Sequence, residues 1–243
     1  MPTKLRHLAS VGKIGGLGLS VITGLSITLA SPSASGASQT PFALMSLAVH
    51  DAVKGGWVHE VERATAPGRS FSMNNEIGTT QGRQVIVSSG AHAEVILLGK
   101  TAYIYGDDKA VKSYFQLSTT DPAKFANKWL SLTASSSNFA AVTSAVTLQS
   151  DFQSVTIPGV LKEGKPVELN GQLAVPISGT IPQTASNATI KATLYVSKSL
   201  PVLPLELHLA SATETYVVTW SQWGHAVVLA APKNARPLAN PAT

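Results

Sequence analysis

The chain has 243 residues, a formal charge of +5 and no cysteine. Leaving out Lys4, Arg6 and Lys13 of the N-terminal stretch brings the charge to +2, without a Lys/Arg cluster or basic–aromatic interleaving, which argues against nucleic-acid binding. The lack of cysteine excludes disulfides, a lipobox lipid anchor and every zinc site built on thiolates.

Residues 1–13 are basic, residues 14–30 are apolar and uncharged, and residues 31–40 are small and polar. That order describes a secretory signal peptide, with cleavage expected between 30 and 37. The apolar run is short for a membrane span and carries Gly15, Gly16, Gly18 and Gly24. The expected organisation is a signal peptide over 1–30, a linker over 31–40, one domain over 41–232 and a loose tail over 233–243. About 205 residues then remain, enough for one sizeable core.

Residues 41–54 read as a helix, with Pro41 in the first turn and Gly55-Gly56 as the stop. Phe42, Met45, Val49 and Val53 form its apolar stripe, widened by Leu44 and Leu47. Residues 57–64, 70–79 and 83–88 read as strands, with Pro67-Gly68 and Gln81-Gly82 as the connections. Residues 91–105 read as a β-hairpin turning at Gly99-Lys100, which suits a two-residue type II′ turn. That turn sets Leu98 against Thr101, Leu97 against Ala102, Ile96 against Tyr103, Val95 against Ile104 and Glu94 against Tyr105. Ala93, Val95, Leu97, Ala102 and Ile104 then make one apolar face that needs a cover, and Glu94, Tyr103 and Tyr105 point outward.

Helices are expected over 107–115, from 122 to 127 after the N-cap Asp121, and over 135–146 with Phe139, Val142 and Val146 on one face. Residues 147–155 either continue that last helix or form another, and residues 128–132 break the pattern. Strands resume over 166–170, 171–179, 188–197, 203–211, 215–220 and 226–230, with Pro204 at an edge or a strand start. Strands, a helical block and strands again give an α+β fold: a single large antiparallel sheet with one face wet and the other covered by helices.

Catalytic signatures are lacking. His59-Glu60 has no second histidine four residues on, and His92-Ala93-Glu94 matches H-x-E without its cysteines. His50 and Asp51 are adjacent on a helix and are expected to point apart. Asp107-Asp108 reads as an exposed helix start. No G-x-S-x-G, Walker or dinucleotide-binding glycine pattern occurs after the leader. No catalytic residue, metal site or cofactor is therefore expected. The positive feature is a surplus of aliphatic strand faces, which suits a cavity for acyl chains.

Trp220-Ser221-Gln222-Trp223-Gly224-His225-Ala226-Val227-Val228 followed by Ala231-Pro232 resembles the last strand of the LppX/LprG family of actinobacterial envelope lipoproteins. Lys128-Trp129-Leu130 is similar to their segment between helices. Gly82-Arg83-Gln84, Glu94-Val95-Ile96 and Ala102-Tyr103-Ile104-Tyr105 are similar to their central strands. The resemblance implies a LolA-like half-barrel, a curved antiparallel sheet with helices packed on its concave face and a hydrophobic cavity between. It further implies a carrier of triacylated lipids or lipoproteins, without cofactor or catalytic residues; the missing lipobox cysteine sets this chain apart. The expected protein is an exported, monomeric lipid carrier of the periplasm or cell envelope, not lipidated. A membrane surface or a transporter would be its partner. Val95, Leu97, Ile104, Phe139, Val142, Leu194, Leu205 and Leu207 would line the cavity. A structural module with a filled core and an envelope hydrolase are the alternatives.

Overall fold

The computed structural model describes residues 39–113, 124–136, 138–153, 155–182 and 189–238. The expected signal peptide lies outside them, as does the expected helix start at Asp121-Pro122. Helix α1 (Pro41–Lys54) runs as its sequence predicts, with the Thr40 hydroxyl accepting from the Ala43 amide at 3.2 Å as N-cap. Its buried stripe is Met45, Ala48 and Ala52, while Phe42 is 51 % exposed. The expected stripe is thus shifted, because the two alanines let the helix backbone approach closely and leave Phe42 on the rim.

A meander follows: β1 (Trp57–Ala66), β2 (Arg69–Gly78), β3 (Gln81–Ser88), β4 (Ala91–Leu98) and β5 (Thr101–Gly106). Gln81 and Gly82 belong to β3, and the chain turns at Thr79 and Thr80 instead. The β4–β5 register is the one that the Gly99-Lys100 turn dictates, from Leu98–Thr101 to Glu94–Tyr105. Gly99 sits at φ +60, which a type II′ turn requires there. Helix α2 (Asp108–Ser113) is capped by Asp107, whose Oδ1 accepts from the Ala110 amide at 2.8 Å and whose Oδ2 accepts from the His92 amide at 2.7 Å.

The helical block is smaller than its sequence suggests. Residues 124–127 form a turn ending at Asn127, φ +57, not a helix. The segment that breaks the pattern contains β6 (Leu130–Thr133), paired with β5. The expected helix over 135–146 shrinks to α3 (Phe139–Thr143), and α4 (Leu148–Phe152) is separate. Its run of serines and threonines is a poor helix interior, since these side chains compete for backbone groups: the Thr143 hydroxyl donates to the Phe139 carbonyl at 2.9 Å.

The second half supplies β7 (Lys162–Glu163), β8 (Val167–Leu169), β9 (Gln172–Pro182), β10 (Thr189–Ser197), β11 (Pro204–Ala210) and β12 (Thr215–Ser221). Residues 226–230 form no strand, and the resembling segment after Ser221 is irregular. Within the expected tail, residues 236–238 pair with the sheet. Strand β13 (Arg236–Pro237) runs parallel to β6, and the Leu238 amide donates to the Ser131 carbonyl at 2.9 Å.

Among the described residues thirteen strands join one open sheet in the order β13-β6-β5-β4-β3-β2-β1-β12-β11-β10-β9-β7, with β8 on β9. Every pair except β13–β6 is antiparallel. The β1–β12 pair welds the two meanders together. Helix α1 packs on β10 and β11, and α3 packs on β4 and β5, so the helices share one face, called here the inner face. Among the described residues, no helix is long and apolar enough to cross a membrane.

Candidate functional site

The inner face is set by alternation along each strand. Ala93, Val95, Leu97, Ala102 and Ile104 are buried on it, as the hairpin predicts, together with Leu130 and Leu132 of β6. On the other half it carries Ile177 of β9, Leu194 of β10, Leu207 and Leu209 of β11, and Val218 and Trp220 of β12, all buried and in register. Outside lie Tyr103, Tyr105 and Glu94, whose carboxylate accepts from Arg83 Nε at 2.7 Å. His92 also faces outward, against the edge of the Tyr105 ring.

The residues expected to line a cavity fall into separate groups. Val95, Leu97 and Ile104 share one apolar cluster with Val146, and Phe139 and Val142 pack against it half-buried. Leu194 and Leu207 belong to a second cluster, with Met45 and Ala48 of α1. Leu205 sits apart from both, on the wall of an open cleft of about 610 Å³.

That cleft lies where β9 starts, β10 and β12 end and β11 begins. Leu203, Leu205, Trp220 and Trp223 give it apolar walls, and Leu200 stands at the β10–β11 loop, 83 % exposed. Gln172, Gln222 and His225 add polar groups, and no lining residue is Asp, Glu, Lys or Arg. The loop is held from both sides. Ser197 Oγ accepts from the Leu203 amide at 2.9 Å, and Asp51 Oδ2 on α1 accepts from the Val202 amide at 3.0 Å. His50 and Asp51 do not point apart as expected: His50 Nδ1 lies 3.1 Å from Asp51 Oδ1 at the exposed helix surface.

The tryptophan wall is braced from behind. The Phe152 ring is fully buried and lies 5.5 Å, centroid to centroid, from both Trp220 and Trp223. Phe152→Ala should therefore cost about 3–5 kcal/mol of stability. It should also change the tryptophan emission of the folded protein, which a fluorescence-monitored urea titration would read in one experiment. An unchanged midpoint and an unchanged native spectrum would show that the brace is unimportant.

Sequence reasoning missed the polar row that crosses this apolar face. Glu60 and Glu62 of β1, Asn75 of β2 and Gln84 of β3 are all buried on the inner side. Asn75 Nδ2 donates to Glu60 Oε1 at 2.7 Å and to Glu62 Oε1 at 3.2 Å, and Trp220 Nε1 donates to Glu60 Oε2 at 2.6 Å. The one available signal was that Glu60 and Glu62 alternate in phase with Val58, which is itself buried.

No protein-family model matches this sequence, and no curated protein matches it. Solved structures do share its shape. LprF from Mycobacterium bovis aligns over 79 % of this chain and 96 % of its own, at 15 % identity and a TM-score of 0.51. Lipoprotein LppX of Mycobacterium tuberculosis aligns over 78 % and 99 %, at 17 % identity and a TM-score of 0.46. An uncharacterized conserved protein from Thermus thermophilus aligns over 82 % and 99 %, at 9 % identity and a TM-score of 0.44. A large open antiparallel sheet with helices packed on one face is common ground with the first of these, and the chain has the LprF-like half-barrel fold.

Proposed function

We propose that the protein is an exported carrier that holds the acyl chains of a lipid, or of an acylated molecule, between sheet and helices. One observation carries this reading. The inner face is apolar on both sides of its central polar row, yet part of its cover is two five-residue helices, and at the β9–β12 end a cleft of about 610 Å³ opens beside Leu205. Each methylene moved from water into such a place is worth about 0.8 kcal/mol, so a chain of ordinary length needs no polar anchor to bind. A binding role requires no catalytic residue and no cofactor. Work as a monomer in the periplasm or cell envelope belongs to the same reading, with the basic and then apolar residues 1–30 as its export signal. A membrane surface or a transporter is the corresponding donor or acceptor.

The proposed lining divides between two places. Leu205 borders the open cleft, while Val95, Leu97 and Ile104, with Phe139 and Val142, form a separate apolar cluster five strands away that is proposed as a second place for an acyl chain. On the α1 side, Leu194 has no exposed surface, which favours the second reading there: a filled core that takes no ligand.

Native mass spectrometry of protein purified from its own host, followed by lipid extraction and uptake of a fluorescent acyl probe, tests the carrier reading. No co-purifying lipid together with no uptake would leave the filled-core module. Leu205→Glu is the informative variant, because Leu205 borders the cleft and retains 9 % exposure. It should abolish uptake while leaving the far-UV spectrum unchanged. Leu97→Glu would put a charge into a packed cluster and lose stability as well. Uptake by Leu205→Glu equal to that of the parent would place the lining elsewhere.

A further inference from the structure

Two amides of the buried polar row are incompletely bonded. Asn75 presents its Nδ2 to the carboxylates of Glu60 and Glu62, which fixes the amide and turns Oδ1 away from β1. Asn75 Oδ1 has no hydrogen-bond partner among the described residues, and neither has Gln84 Nε2. Asn75 is fully buried and Gln84 is 3 % exposed. The two residues are directly paired across β2 and β3, so their side chains leave the same face about 5 Å apart. Around them the inner face is apolar: Met73 and Ile77 flank Asn75, Ile86 follows Gln84, and Val95 is paired with Gln84 on β4. An acceptor and a donor left open in such surroundings are costly, and native proteins seldom tolerate them without a partner.

One chemical group answers both. A hydroxyl oxygen accepts from Gln84 Nε2 while its proton goes to Asn75 Oδ1. An ester or ether oxygen could only accept, and an ammonium could only donate. Both carboxylate oxygens of Glu60 already accept, from Asn75 and Trp220, so Glu60 does not compete for the hydroxyl. We propose that the Asn75–Gln84 pair is a binding site for a hydroxyl group of the carried amphiphile. The ligand class is then a lipid with a free alcohol within reach of its acyl chains, rather than a fully esterified one. This rests on the carrier reading above and gives it a specificity.

The test uses two probes with the same chains, 1,2-dioleoylglycerol and 1,2-propanediol dioleate, which lacks the hydroxyl. Each competes with a fluorescent acyl probe for the full-length protein. The parent protein should prefer dioleoylglycerol by about tenfold, the ratio for one well-made hydrogen bond. Gln84→Leu, which replaces the open amide by an apolar side chain of similar size, leaves only the Asn75 acceptor, so the preference should shrink, and the variant should unfold no earlier than the parent. Gln84→Met serves as a second variant of the same kind. Equal binding of the two lipids by the parent would mean that water alone fills the pair, and would overturn the proposal while leaving the carrier reading intact. A preference undiminished in both variants would overturn it too. Binding of neither lipid by the parent would overturn the carrier reading and this one with it.

Discussion

Gly82→Ala should be among the most damaging single changes in the protein. A Cβ at position 82 would lie 2.1 Å from the Val146 carbonyl oxygen and 2.9 Å from the Glu76 carbonyl oxygen. Both obstacles are backbone, so no rotamer change relieves them. Either β3 must bow out of the sheet or the segment between α3 and α4 must lift off it. That segment is held at two further points. Thr147 bridges to Gly78, and the Val146 side chain is buried among Val95, Leu97 and Ile104. Lifting it would therefore open the cluster proposed to meet the ligand. The expected loss is about 3 kcal/mol or more, at the upper end for overpacking. Urea denaturation would show it as a lower midpoint at an unchanged slope. Gly99→Ala is the control. Position 99 has φ +60 and no atom within 4 Å of an added Cβ, so only backbone strain, about 1–2 kcal/mol, should appear. If Gly82→Ala proved no worse than Gly99→Ala, the close approach of residue 146 to the sheet would be wrong.

That close approach also shows what the sequence could and could not convey. The β4–β5 register was legible because it is local: a glycine at the turn and an uninterrupted alternation fix it without help from distant chain. The α3–α4 region was not legible. Its apolar spacing suggests a long helix, but the chain must descend onto Gly78 and Gly82, and that demand comes from strands more than sixty residues earlier. Residues 226–230, Ala-Val-Val-Leu-Ala, have the composition of a strand and form none. Their nearest strand in sequence, β12, already has β1 on one side and β11 on the other, so it offers no free edge. The chain instead reaches the far side of the sheet, where β6 still has an unpaired edge for β13. The open cleft beside Leu205 was invisible for a similar reason, since its walls come from four strand ends. The polar row is the clearest case. Trp-Val-His-Glu-Val-Glu alternates equally well with either face inward, and only the non-local partners Asn75 and Trp220 decide that the glutamates go inside.

Glu60→Leu should destabilise the protein by about 3–5 kcal/mol, as expected when two buried donors lose their acceptors and stay behind. The change deletes the acceptors of two short bonds, 2.7 Å from Asn75 Nδ2 and 2.6 Å from Trp220 Nε1. Leucine is close in volume, so the loss reads the hydrogen bonds rather than a cavity. Glu60→Gln keeps one acceptor and swaps the other for a donor, which then faces Asn75 or Trp220 donor to donor; about half the loss is expected. The Trp220 contribution can be isolated with a double-mutant cycle of Glu60→Gln and Trp220→Phe, measured by urea denaturation. A coupling energy of about 1 kcal/mol or more is expected for this short buried bond. Coupling near zero, or a Glu60→Leu variant as stable as its parent, would mean that the row does not hold β12, β1 and β2 together. The point reaches function through Trp220. This indole forms a wall of the open cleft on one side and is fixed by Glu60 on the other, while Asn75 is oriented by the same carboxylate. One buried acid thus sets both the edge of the cleft and the direction of the amide proposed to read a ligand hydroxyl. Variants at Glu60 that still fold should therefore lose the dioleoylglycerol preference even though Gln84 is intact.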